Sequence, residues 1–254
     1  NLETQLETSQ RECELLRRGA AKVDIDDDIG SKDPATTLSP DTRVYSSPVV
    51  AQFVQSISDV RAYQRLRKFD PDFFDGLVNT YKKLVGQDLS DKQINDALRA
   101  ELAALMGRLL PRASDDAIIR YAKLIVDQLD EFQLYGTEPC LTLLVPPSDP
   151  DNDTSPIYSD KTKERELETL DIILRTYNAD KRLPAQEDVW PDLDPKFAEL
   201  FDAFGADNVA AMENSYDPDI DRVLVCNVSR ALYSGVLSLP KRKAANALRW
   251  LLSS

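Results

Sequence analysis

The sequence predicts an all-α fold: a multi-helix, bundle-like body of about eight helices behind an N-terminal helix prone to coiled-coil pairing. Three observations carry this. Glycine is scarce, 8 in 254 residues, which leaves few tight hairpin turns. A Ser-Pro or Asp-Pro helix start occurs four times, at Ser47-Pro48, Asp70-Pro71, Asp194-Pro195 and Asp217-Pro218. In such a pair the side-chain oxygen accepts from unpaired amides, and Pro needs no donor at the first helical position. Apolar residues also recur at helical spacing along most of the chain.

The elements follow in order. In residues 1–23, Leu2, Leu6, Ser9, Cys13, Leu16, Ala20 and Val23 are spaced 4, 3, 4, 3, 4, 3, a heptad seam flanked by Glu and Arg. The pattern predicts a short helix, docked on the body or paired with a second copy. It is already running at residue 2, and the first residue is Asn1, so an upstream segment is expected. Residues 24–47 read as an acidic linker marked by DIDDDIGSKDP. A first helical half, 46–145, opens with one helix through Val49, Phe53, Ile57 and Val60, ending in Arg61, Arg65, Arg67 and Lys68. Those cations suit the negative end of a helix. Ser90 with Gln93 forms a capping box before Ile94, Leu98, Leu102, Leu105 and Leu109. Ser114 caps a helix through Ile118, Leu124, Ile125, Leu129 and Phe132. Leu141–Val145 is a strand or a buried connector.

Residues 146–160 are a Pro/Asp-rich linker, PPSDPDNDTSP at its centre. The second half, 157–254, forms either its own unit or one domain with the first. It holds the stripe Leu167, Leu170, Ile173, Leu174 and Tyr177 and a loop anchored by Trp190. A helix over Ile220–Leu237, apolar nearly all round, is expected to be buried. A last amphipathic helix carries Ala244, Leu248, Leu251 and Leu252. No run reaches the roughly 18 apolar residues of a membrane span.

Composition limits the chemistry. There is no histidine, so Ser-His-Asp and Cys-His nucleophiles and His zinc sites are excluded. With 44 acidic and 31 basic residues, the net charge of −13 opposes nucleic-acid binding. Ser238-Leu-Pro-Lys241 matches S-x-x-K without its companion elements, and reads as a plain helix start. Asp149, Asp151, Asp153 and Asp160 occupy positions 1, 3, 5 and 12 of an EF-hand-like calcium loop. Thr154 replaces the turn glycine and Asp160 replaces the longer Glu, so the competing account is a solvated linker. No other metal or cofactor is expected.

Cys140 and Cys226 are the disulfide candidates, bridging the two halves; the alternative is two buried free thiols. Asn152-Asp-Thr154 and Asn227-Val-Ser229 read as chance matches to a glycosylation acceptor. Lys241, Arg242, Lys243, Arg249 and Trp250 form a basic amphipathic tail, expected to dock on the protein's own acidic surface rather than on lipid. The leading functional expectation is a non-catalytic helical interaction or scaffold domain with a protein partner. It would be the soluble part of a bacterial periplasmic or envelope protein anchored upstream of Asn1, with residues 1–23 pairing a homodimer. Two alternatives stand beside it: a cytoplasmic acidic protein that binds a basic partner, of inhibitor or immunity type, and a carboxylate-based hydrolase.

Overall fold

A computed structural model of the chain describes residues 47–87, 89–134, 140, 159–210 and 221–253, except the side chains of Lys92 and Arg222. Among these residues it is all-α, with ten α-helices, one 3-10 turn and no strand. They are α1 (Pro48–Ser58), α2 (Arg61–Phe69), α3 (Pro71–Val85), α4 (Asp91–Leu109), the 3-10 turn Leu110–Arg112, α5 (Asp115–Gln133), α6 (Asp160–Thr176), α7 (Gln186–Phe204), α8 (Ala206–Ala210), α9 (Arg222–Leu237) and α10 (Lys241–Leu252). None of them is long and apolar enough to cross a membrane.

Five of the described starts carry a side-chain cap, whereas Ser47 ahead of Pro48, expected to cap, makes no such bond. Asp70 accepts from the Phe73 amide at 2.9 Å, and Ser114 accepts from Ala117 at 3.2 Å. Ser90 and Gln93 satisfy each other's backbone amides in a capping box, worth about 1 kcal/mol. Ser159 caps α6 through Thr162, and Asp221 caps α9 through Val223 and Leu224.

At the centre lies α5, which packs on α6, α9 and α10. It buries Ala117, Ile118, Ala122, Leu124, Leu129 and Phe132. Beyond α6 lie α2, α3, α1 and α4; beyond α10 and α9 lies α7. One contiguous core runs from Val50 on α1 to Trp250 on α10, so residues of both 46–145 and 157–254 build it.

Three details depart from the sequence reading. The first body helix is two helices. Ser56 and Ser58 hydroxyls donate back to the carbonyls of Phe53 and Val54, and Val60 is extended, so the chain turns before α2. Asp194-Pro195 does not start a helix: Pro191 and Pro195 both lie inside α7, which also carries Trp190 instead of leaving it on a loop. The buried run Val189, Leu193, Phe197 and Leu200 continues through them. Burying these four at roughly 2 kcal/mol each outweighs two prolines at about 3 kcal/mol each. Finally, α9 is not buried all round: Val223 is 49% exposed, and Arg230 and Ser234 face solvent. The central position belongs to α5.

Candidate functional site

The residues singled out from sequence scatter. Asp149, Asp151 and Asp153 lie outside the described residues, as do residues 1–46 with Cys13, Leu141–Val145, Asn152 and Asp217-Pro218. Asp160 is the first residue of α6; its carboxylate is fully exposed and meets Lys163 at 3.1 Å. Among the described residues no group of three His, Cys, Asp or Glu side chains is placed to hold a metal. Cys140 and Cys226 do come together, with sulfurs 1.96 Å apart and Cα atoms 6.1 Å apart. Both are buried, in a small cluster with Ile125, Leu129 and Phe132. Asn227 accepts from Gln133 Nε2 at 2.9 Å. Ser238 donates to the Gly235 carbonyl, and Lys241 pairs with Asp116, which raises its pKa and holds the amine protonated.

The basic tail docks on the body. Lys243 meets Asp192 at 2.6 Å and Lys241 meets Asp116 at 2.6 Å. Arg249 is buried: Nε donates to the Pro111 carbonyl, and Nη2 to the Ala113 carbonyl and to Asp115. Lys181 donates to the same two acceptors. Burial opposes ionisation of Asp115, but the hydrogen bond and charge of Arg249, then those of Lys181, outweigh it and depress its pKa. Burial, then the Arg249 charge, lower that of Lys181. Trp250 meets Trp190 edge-on, with ring centres 6.1 Å apart.

A second polar cluster ties α6 down. Arg99 Nη2 donates to both Glu166 oxygens, at 2.6 and 2.8 Å, and Gln128 Nε2 to one at 2.6 Å. Burial raises the Glu166 pKa against these partners. Burial, then the Glu166 charge, raise that of Tyr63. Arg65 and Arg61, read as helix-end cations, sit at the start and middle of α2 and bind Asp171 of α6.

Two surfaces remain. One is an open groove of about 640 Å³ between the start of α2 and α6, with Val60, Leu167 and Ile172 among its lining. Most of its rim charges are paired, Arg61 with Asp171, Arg120 with Glu168 and Lys163 with Asp160; Glu164 and Arg175 also line it and are opposite in sign. The other is the outer side of α7 and α8. Residues 186–207 carry Glu187, Asp188, Asp192, Asp194, Glu199, Asp202 and Asp207 against a single cation, Lys196. Lys196 binds Glu199 and Lys243 binds Asp192. Among the described residues, Glu187, Asp188, Asp194, Asp202 and Asp207 have no cationic partner, and all but the half-buried Asp194 are exposed. Sequence reading missed this face, because it took Asp194-Pro195 for a helix start and thereby cut the helix that aligns the acids. Comparison of the chain with protein-family models, with curated proteins and with solved structures finds no match in any of the three.

Proposed function

We propose that this chain is a non-catalytic helical interaction domain whose α7–α8 face binds a basic segment of a protein partner. The supporting observation is the contrast between its surfaces: the charges lining the α2–α6 groove balance in sign, most of them as ion pairs within the fold, whereas on α7 and α8 five of seven carboxylates have no cationic partner among the described residues. Unmatched charge on one face steers an oppositely charged partner and orients the encounter. A packed hydrophobic core holds α7 through Val189, Leu193, Phe197 and Leu200, so the acids are presented from a fixed element.

In this reading residues 1–23 pair two copies, and residues 24–47 space the pair from the bodies. The Cys140–Cys226 bond favours an oxidising compartment, and the bacterial envelope is the setting we propose. The test is site-specific photo-crosslinking of the full chain in its native cells, from position 198 on α7 and position 164 on the groove, with adducts identified by mass spectrometry. A recurrent adduct from position 198 with a protein carrying a Lys/Arg-rich segment, absent from position 164, supports the reading. Adducts only from position 164, or only with acidic proteins, overturn it.

A further inference from the structure

The α6 wall of the α2–α6 groove is a helix face that the described residues leave open, and its chemistry is self-complementary. Glu164, Leu167, Glu168, Asp171, Ile172 and Arg175 line the groove from α6 at spacings of 3, 1, 3, 1 and 3, along one side of the helix. Such spacing reads the same in both directions on any helix, so the residue types carry the information. Turned end for end about a midpoint between Thr169 and Leu170, the face lays Glu164 on Arg175, Leu167 on Ile172 and Glu168 on Asp171. The outer pair are opposite charges, both exposed and both without an ion-pair partner among the described residues. The next pair are half-buried apolar side chains. The two central acids bring their own cations: Asp171 binds Arg61 and Arg65, and Glu168 binds Arg120. Arg61 stays 72% exposed while bound to Asp171, so it can also take Glu168 of a second copy.

We infer that a second copy of the chain occupies this groove, with α6 docked antiparallel on α6 about a two-fold axis. In a two-fold interface, whatever residue i of one copy meets at residue j of the other, j meets at i. The α6 face meets that condition with chemistry that attracts: two Glu164–Arg175 ion pairs at the ends and two Leu167–Ile172 contacts inside them. An acid near the start of a helix and a cation in its last turn also suit that helix's own dipole. Antiparallel docking adds to this, because each positive helix end then lies beside the negative end of the other copy. The contact is short: Glu164 and Arg175 lie about 16 Å apart along the helix. It is therefore weak alone, and the pairing proposed above for residues 1–23 raises its occupancy by holding two bodies at an effective concentration on the order of 1 mM. The α7–α8 face is not used, since α7 packs on α9 and α10 rather than on α6.

The test uses the full chain carrying Leu6→Asp/Leu16→Asp, which breaks the apolar seam of residues 1–23 and leaves the contact between bodies to be measured alone. Sedimentation equilibrium at up to about 1 mM, the concentration a short tether supplies, should show monomer and dimer in exchange. Glu164→Arg and Arg175→Glu should each weaken the dimer by about tenfold, because each turns two opposite-charge contacts into like-charge ones. The two substitutions move the net charge in opposite directions, so weakening by both cannot come from the general repulsion of an acidic chain. The double variant Glu164→Arg/Arg175→Glu re-forms both pairs with the signs exchanged, and should return the dimer to within about threefold of its parent. Both residues are exposed, so circular dichroism should show the fold retained in all three variants. No self-association at that concentration, a single variant that leaves the dimer unchanged, or a double variant as weak as the singles overturns the inference. Each of these results leaves the α7–α8 reading standing.

Discussion

Arg249 is a fully buried charged side chain, and its removal is costly. Its guanidinium is buried and holds α10 to the 3-10 turn and to α5 through the carbonyls of Pro111 and Ala113 and the carboxylate of Asp115. Truncation to Ala removes these three bonds and a fourth, from Nη1 to Asn246 Oδ1 at 3.4 Å, and the acceptors fare differently. Lys181 still donates to the Ala113 carbonyl at 2.8 Å and to Asp115 at 3.4 Å, so these two keep a partner. Pro111, itself buried, loses its Arg249 bond, and an acceptor stranded in the interior costs about 1–3 kcal/mol. The charge-assisted bond to Asp115 adds about 1.5–3 kcal/mol. Together these give Arg249→Ala a cost of about 2.5–6 kcal/mol, which spans the range for breaking a buried pair. Urea unfolding followed by circular dichroism measures it. Because Lys181 covers for Arg249, the double variant Arg249→Ala/Lys181→Ala should be worse than the sum of the singles by about 1 kcal/mol. A single-variant cost below about 1 kcal/mol, or strict additivity, would refute this account of how α10 is anchored.

Three further outcomes are expected. Glu166 has a raised pKa in the fold because it is buried, so the native state takes up that proton at higher pH than the unfolded chain does. Its contribution is therefore fully present below the unfolded value, about 4.3, and is lost as pH rises through the folded one. Urea midpoints should then show wild type gaining on Glu166→Gln as pH falls from neutral toward that value, and a constant gap between them would contradict the burial argument. The Cys140–Cys226 bond closes a sequence separation of 86 residues, so Cys140→Ala/Cys226→Ala should lose about 4–5 kcal/mol by loop entropy. Intact mass of protein from the native compartment, with and without reductant, should reveal one disulfide, and free thiols at both positions would remove the oxidising-compartment proposal. For the proposed pairing through residues 1–23, sedimentation velocity of the full chain should give a dimer that Leu6→Asp/Leu16→Asp converts to monomer; a wild-type monomer rejects that part of the proposal.

What could be read from sequence was whatever is local. Ser90 with Gln93, Ser114 and Asp70 cap their helices through amides three residues away, so short motifs sufficed. The docking of the basic tail was legible, but the burial of individual charged side chains was not, because their partners are remote. Glu166 sits in a run that looks like a solvated helix start, yet its partners Arg99 and Gln128 lie 67 and 38 positions away. Arg249 looks like part of a basic tail, and only acceptors 134 to 138 positions distant explain its burial. The prolines of α7 misled for a related reason. Local rules place Pro at helix starts, but the tertiary burial of Leu193 and Phe197 overrode them and carried the helix through. The acidic row on α7 exists only because of that override.

Hydrogen-exchange mass spectrometry of the full chain, with and without a saturating basic octapeptide, (Arg-Ser)4, shows whether a basic segment docks on α7 and α8. The α7–α8 account predicts slowed exchange confined to residues 186–210, with α6 and the start of α2 unchanged. Slowed exchange along α6, or none at residues 186–210 under saturation, would contradict it.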